Sequence, residues 1–198
     1  MAKVLHIFAH PGRGSSRINM AQWSAAQAVD GITSLDLYAI YPRYDIDIEV
    51  EQQRLLDHDL VLLQFPLFWY SAPALVKEWI DLTFEHGFAY GHDGDRLKGK
   101  SLMLALSAGG PQDAYNPEGY QHFPLRTFLT PFEQTARLCQ MHFLPPYVQY
   151  GALRADPAPH AKGFATLLKA LRDDRLDLPR APEVLTHDTL PLIEGDPT

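Results

Sequence analysis

Three short stretches of the 198-residue chain combine side chains and backbone freedom suited to ligand chemistry. The first is His10-Pro11-Gly12-Arg13-Gly14-Ser15-Ser16-Arg17-Ile18-Asn19. Glycines and hydroxyls leading into a helix leave free backbone N–H groups at the positive end of the helix dipole, which suits a phosphate. Ser16 and Asn19 add neutral donors, and Arg17 adds charge and a forked donor. The stretch lacks the Gly-Lys-Ser/Thr of a Walker A loop, and Arg17 stands where a dinucleotide fingerprint needs its third glycine. Helix capping and turn formation account for the same residues, with His10 capping a turn.

The second stretch is Pro66-Leu67-Phe68-Trp69-Tyr70-Ser71-Ala72-Pro73. Prolines stiffen both ends, and the aromatics between them suit the wall of a flat ring. Ordinary core or interface aromatics are the competing account of Trp69 and Tyr70. The third is Ser107-Ala108-Gly109-Gly110, where two glycines let backbone approach a ligand closely or simply make a turn.

The elements around these stretches place them together. Val4–Ala9 is a short apolar run stopped by His10-Pro11-Gly12, which predicts a buried strand. A helix is expected over Ile18–Val29, with Ser15 or Ser16 as its N-cap. Further strands are expected at Ile32–Tyr38, Leu60–Phe65, Ser101–Ser107 and Tyr147–Leu153. Helices are expected at Gln52–Asp57, Ala72–Phe84, Phe123–Cys139 (with a kink near Pro131) and Ala158–Arg175. Alternating strands and helices predict an α/β fold, a five-stranded parallel sheet in the flavodoxin-like order 2-1-3-4-5 with helices on both faces. In such a sheet ligands bind beyond the carboxyl ends of the strands, where all three stretches lie. A mononucleotide with an aromatic ring, FMN in particular, fits them jointly.

Composition sets outer limits. With 24 acidic and 17 basic side chains the net charge is −7, which disfavours a nucleic-acid surface. The single cysteine, Cys139, makes no intrachain disulfide or thiolate metal site and reads as a small core residue. No apolar run reaches membrane-spanning length and the start carries no cleavage signature, so a cytoplasmic protein is expected. Residues 1–175 read as one domain. Residues 176–198, with Pro179, Pro182, Pro191 and Pro197, read as an extended tail that packs on a neighbour or stays mobile.

The run from Leu67 to Asp81, Leu67-Phe68-Trp69-Tyr70-Ser71-Ala72-Pro73-Ala74-Leu75-Val76-Lys77-Glu78-Trp79-Ile80-Asp81, resembles the signature of the flavodoxin-like NAD(P)H:quinone oxidoreductases. His10-Pro11, Ser16 and Asn19, Phe88-Ala89-Tyr90-Gly91, Leu97-Lys98-Gly99-Lys100 and Leu144-Pro145-Pro146 resemble further segments of that family. The similarity runs from about residue 3 to 175 and is greatest to the bacterial ancillary flavoproteins of glutathione-gated potassium efflux systems. The resemblance implies flavin phosphate contacts from His10, Ser16, Arg17, Ile18 and Asn19. It implies ring contacts from Leu67, Phe68, Trp69, Tyr70, Ser107, Ala108, Gly109 and Gly110. Tyr115 matches a family tyrosine that serves the reduced flavin and the quinone. The family histidine six residues further falls on Gln121, with His122 beside it as the substitute.

Implied with these are ping-pong reduction of quinones by NADH or NADPH and a homodimer with Trp79, Ile80 and Phe84 at its interface. FMN is expected over FAD, because the chain has little length to spare for an adenosine half. A regulatory subunit of a potassium efflux protein, peripheral at the inner membrane, is the alternative. A dinucleotide-fingerprint dehydrogenase, with Asp36 holding a ribose, is a third reading that the broken glycine spacing opposes.

Overall fold

The computed structural model describes residues 1–193. Its sheet carries β1 (Val4–Phe8), β2 (Ile32–Asp36), β3 (Leu60–Pro66), β4 (Ser101–Ser107), β5 (His142–Phe143) and β6 (Tyr147–Gln149). All pairings are parallel, in the order β2-β1-β3-β4-β5, with β6 also beside β4. The expected order therefore stands, but the fifth position is shared. Leu144-Pro145-Pro146 separates β5 from β6, because two prolines lack the N–H that a continuous ladder needs.

Around the sheet lie α1 (Arg17–Gln27), α2 (Leu37–Ile40), α3 (Ile48–Asp57), α4 (Ala74–Thr83), α5 (Thr130–Leu138) and α6 (Pro157–Arg172). Period-two alternation in the buried strands sorts the core into two layers. Leu5, Ile7, Val61, Leu63, Phe65, Leu102, Leu104 and Leu106 face α3, α4 and α5. Val4, Leu60, Leu62, Met103 and Ala105 face α1 and α6.

Local chemistry moved several expected boundaries. Strand two ends at Asp36 rather than Tyr38, because the Asp36 carboxylate accepts the Ala39 N–H (3.2 Å) and starts α2. Asp47 accepts the Val50 N–H and starts α3 earlier than expected. Pro131 begins α5 rather than kinking a longer helix, with a 3₁₀ segment at Leu125–Leu129 before it. Strand five does not extend to Leu153, since residues 150–154 form turns.

The three side chains named for a dimer interface on α4 lie in the core of this chain. Trp79 is fully buried, and Ile80 and Phe84 are nearly so. The Trp79 indole N–H donates to Glu51 Oε2 (3.0 Å), and Tyr41 donates to Glu51 Oε1 (2.7 Å), where Arg54 also pairs. Trp79 thereby ties α4 to α3, and all three side chains are buried in this chain.

Cys139 is buried in the sheet-side core, and burial pushes its thiol up to about 11, so it is inert at neutral pH. From Leu176 the chain returns across its own core. Leu185 is fully buried and bridges to Tyr147 of β6, with Val148 N–H donating to the Leu185 carbonyl (2.8 Å). Residues 194–198 lie outside the described part. No helix among the described residues is long and apolar enough to cross a membrane.

Candidate functional site

β1, β3 and β4 are in register, with Phe8 beside Gln64 and Pro66 beside Ser107. Their following loops therefore leave one edge of the sheet together. A cavity of about 350 Å³ opens there, within the roughly 300–1,000 Å³ of small-molecule sites. His10, Ser16, Arg17 and Asn19 line it from the first loop, Leu67 and Phe68 from the second, and Ser107 and Gly109 from the third.

In the first loop Ser16 is the N-cap of α1, yet its side chain caps no backbone group. Instead its hydroxyl accepts from the Asn19 side-chain N–H (2.9 Å). Asn19 is buried and its other amide proton reaches Ser107 Oγ (2.8 Å), bolting the first loop to the end of β4. The Asn19 Oδ1 is buried without a partner. Such an acceptor costs free energy unless a donor meets it. Arg17 is exposed at the helix start, while Ile18 points into the core.

His10 does cap a turn, since its Nδ1 accepts the Gly12 N–H (3.1 Å). That bond leaves the proton on Nε2. Burial lowers the His10 pKa, opposed in part by the Asp36 charge, so the ring is neutral at pH 7. The nearly buried ring lines the cavity and offers a neutral donor there.

In the second loop Phe68 and Ser71 exchange backbone hydrogen bonds, both 3.0 Å, around Trp69 and Tyr70. Both central residues have positive φ (48° and 65°), the pattern of a type I′ turn that normally takes Asn and Gly. Strain of this kind, on the order of 1–3 kcal/mol per residue, concentrates at functional sites. Trp69 is 93% exposed, and Tyr70 stacks on Phe128 (4.8 Å between centroids), so neither is a core aromatic.

In the third loop the Ala108 N–H is already spent on the Gln149 carbonyl (2.7 Å). The Tyr115 ring lies close against Gly110. Gly109 is exposed and lines the cavity, which leaves its amide as the donor toward a ligand.

Tyr115 lies behind this loop. Its ring packs near Tyr150 (5.6 Å) and Phe128, and burial raises its pKa, with the Gly110 N–H opposing. It lines a second cavity of about 780 Å³. His122 is exposed at φ 61° and lines neither cavity, so the structure does not bring it to Tyr115 or to the glycines. Trp69 and Tyr70 stand outside the smaller cavity's lining, and Ala108 is buried behind it. Ser15 of the first stretch also lines it, as do Ala152 and Leu153, which carry no signal in the sequence. The last two were hidden by the expectation that strand five ran to Leu153. Asp36 is buried and caps α2, so its carboxylate is not presented to a ribose. Among the described residues no three His, Cys, Asp or Glu side chains are grouped to hold a metal ion.

A family model described as flavodoxin-like fold matches residues 2–173. The glutathione-regulated potassium-efflux system ancillary protein KefG of Yersinia enterocolitica is 41% identical over 171 residues, covering 85% of this chain and 93% of the relative. The general stress protein 14 from Treponema denticola, solved in complex with FMN, superposes with a TM-score of 0.80 at 36% identity, covering 85% of this chain and 99% of that one. An NADPH-quinone reductase structure from P. pentosaceus gives a TM-score of 0.75 at 30% identity, covering 86% and 97%.

Proposed function

We propose that this chain, which belongs to the flavodoxin-like fold family, is an FMN-dependent NAD(P)H:quinone oxidoreductase. The observation that carries the reading is the meeting of three strand-end loops at one cavity, with the buried Asn19 side chain tying the first loop to the third. The residues fit FMN. The N-terminal N–H groups of α1, with Ser16 and Arg17, hold the phosphate, and His10 Nε2–H adds a neutral donor. Asn19 Oδ1 accepts a ribityl hydroxyl. Leu67 and Phe68 wall the ring, and Trp69 and Tyr70 stand at its rim. Ser107, Ala108 and Gly110 hold the Gly109 amide against its electron-rich edge, and Ile18 anchors α1 beneath the phosphate. The choice of FMN over FAD is supported by the FMN bound in the similar general stress protein.

FMN held there would supply the two-electron relay between NADH or NADPH and the quinone. The balance is NAD(P)H plus a proton plus quinone giving NAD(P)⁺ plus hydroquinone. One pocket visited in turn by donor and acceptor gives ping-pong kinetics. The Gly109 N–H is a fixed donor where negative charge gathers, which stabilises it without reorganisation. Tyr115 carries the hydroxyl proton that can be donated to the developing hydroquinone oxygen. Its raised pKa keeps that proton on at neutral pH. His122, outside both cavities, is left without a part in proton delivery.

Exposed Phe68, Trp69, Tyr70, Tyr120 and Phe123 give a second copy an aromatic surface to cover. We place the homodimer contact there rather than on α4. The similarity to KefG supports a second reading, a cytoplasmic flavoprotein that docks on a membrane potassium efflux protein. Turnover of the isolated protein separates the two. FMN-loaded protein should oxidise NADH or NADPH in the presence of a quinone, with parallel double-reciprocal lines. FMN-loaded protein that turns over no quinone alone would favour the regulatory reading.

A further inference from the structure

We infer that the C-terminal segment makes this site selective for uncharged or cationic ring-bearing acceptors over anionic ones, with Glu183 as the specificity-determining residue. The inference rests on the oxidoreductase reading and adds the acceptor class. The family match covers residues 2–173, and the segment follows it. It is held firmly: Leu185 is fully buried, its N–H donates to the Pro146 carbonyl (2.8 Å), and its carbonyl accepts from Val148. Two residues earlier, Glu183 and Val184 complete the wall of the 780 Å³ cavity that Tyr115 and Tyr150 line. That cavity adjoins the smaller one through consecutive glycines. Gly109 lines the smaller, and Gly110 lies against Tyr115, which lines the larger.

The charges of the larger cavity do not cancel. Its cation, Arg126, is committed elsewhere: one guanidinium nitrogen pairs with Glu133 (3.0 Å) and the plane lies over the Phe143 ring (5.1 Å). The other terminal nitrogen donates to the Glu183 backbone carbonyl (3.3 Å), which pins the segment and leaves the Glu183 carboxylate untouched. Glu183 and Asp113 are both exposed on the lining, and neither carboxylate has an ion-pair partner among the described residues. An anionic acceptor meets two uncompensated carboxylates, whereas a cationic one meets them and the faces of Tyr115 and Tyr150. For exposed charges in water the discrimination is roughly two- to fivefold per carboxylate and falls with salt.

The test uses the full chain loaded with FMN and three naphthoquinones: uncharged, sulfonated, and bearing a quaternary ammonium. The ratio of kcat/KM for the sulfonated to the uncharged quinone should rise about two- to fivefold in Glu183→Gln and further in Glu183→Lys. The cationic quinone should lose its advantage, and salt should flatten every difference. Glu49→Gln, on the exposed first turn of α3, removes the same charge elsewhere and should leave the ratio where it was. An unmoved ratio in both Glu183 variants overturns the inference, as does an equal shift in Glu49→Gln. Dissociation constants from fluorescence quenching read the same ratios without turnover. Charge-graded binding with no turnover would then refute the quinone reduction and keep the charge selectivity, while ungraded binding with turnover would do the reverse.

Discussion

Replacing Asn19 with alanine separates a structural bolt from a ligand contact. In the free protein Asn19 donates to Ser16 (2.9 Å) and Ser107 (2.8 Å), and its Oδ1 accepts nothing. Two neutral hydrogen bonds contribute roughly 0.5–1.5 kcal/mol each, so Asn19→Ala should destabilise the ligand-free protein by about 1–3 kcal/mol. For a chain of this size that lowers Tm by about 2–4 °C per kcal/mol. The orphaned acceptor offsets part of that loss, because its removal also removes an unmet desolvation cost. Binding of FMN should suffer independently. If a ribityl hydroxyl satisfies Oδ1, its loss costs roughly 1–3 kcal/mol, or about five- to a hundredfold in affinity. Differential scanning calorimetry of the apoprotein and fluorescence titration with FMN read the two effects apart. Riboflavin, which keeps the ribityl chain, should lose affinity by a similar factor. A lowered Tm with an unchanged FMN Kd would show that Asn19 only ties the first loop to β4, and the argument from its buried oxygen would fail.

Acid should weaken the fold through His6, which is fully buried between Gln64 and Ser34 and whose pKa is lowered from 6.5 to about 4 by burial. The folded state resists protonation that the unfolded chain accepts below about 6.5, so stability is full above that pH and falls as pH drops toward 4, by about 3 kcal/mol. Urea midpoints near pH 7 and about pH 4.5 check this, and His6→Gln should flatten the difference. Arg17→Ala should weaken FMN by about tenfold to a hundredfold, the loss of one charged hydrogen bond of roughly 1.5–3 kcal/mol. Riboflavin binding should hardly change, and an equal loss for both would place Arg17 away from the phosphate. Tyr115→Phe should slow quinone reoxidation about five- to a hundredfold in stopped flow, with FMN affinity nearly unchanged. Equal rates would remove Tyr115 from the chemistry.

Much of the sheet was legible because β1, β3 and β4 are continuous apolar runs cut by Pro or Gly, a pattern that depends on local sequence alone. The three loops were legible for the same reason, each following one of those runs directly. Other features depend on distant partners. The apolar spacing of Trp79, Ile80 and Phe84 fits a core face and an interface equally. Only Glu51, reaching the Trp79 indole from α3, settles which it is. Strand five was misread because Tyr147–Gln149 runs on into polar and small residues that still look extended, and its turn at residues 150–154 brings Ala152 and Leu153 to the cavity. The resemblance put the family histidine at Gln121 with His122 beside it as the substitute, yet His122 sits exposed in a left-handed turn. The final segment has no periodicity, so its anchoring through Leu185 on β6 had no sequence signal.

The central claim is that three strand-end loops hold FMN. The most direct measurement is the absorption spectrum of the purified protein, combined with the mass of the cofactor released by heat. The account predicts a yellow protein carrying about one flavin per chain, with the released compound having the mass of FMN. A colourless protein that also fails to bind added FMN would contradict it.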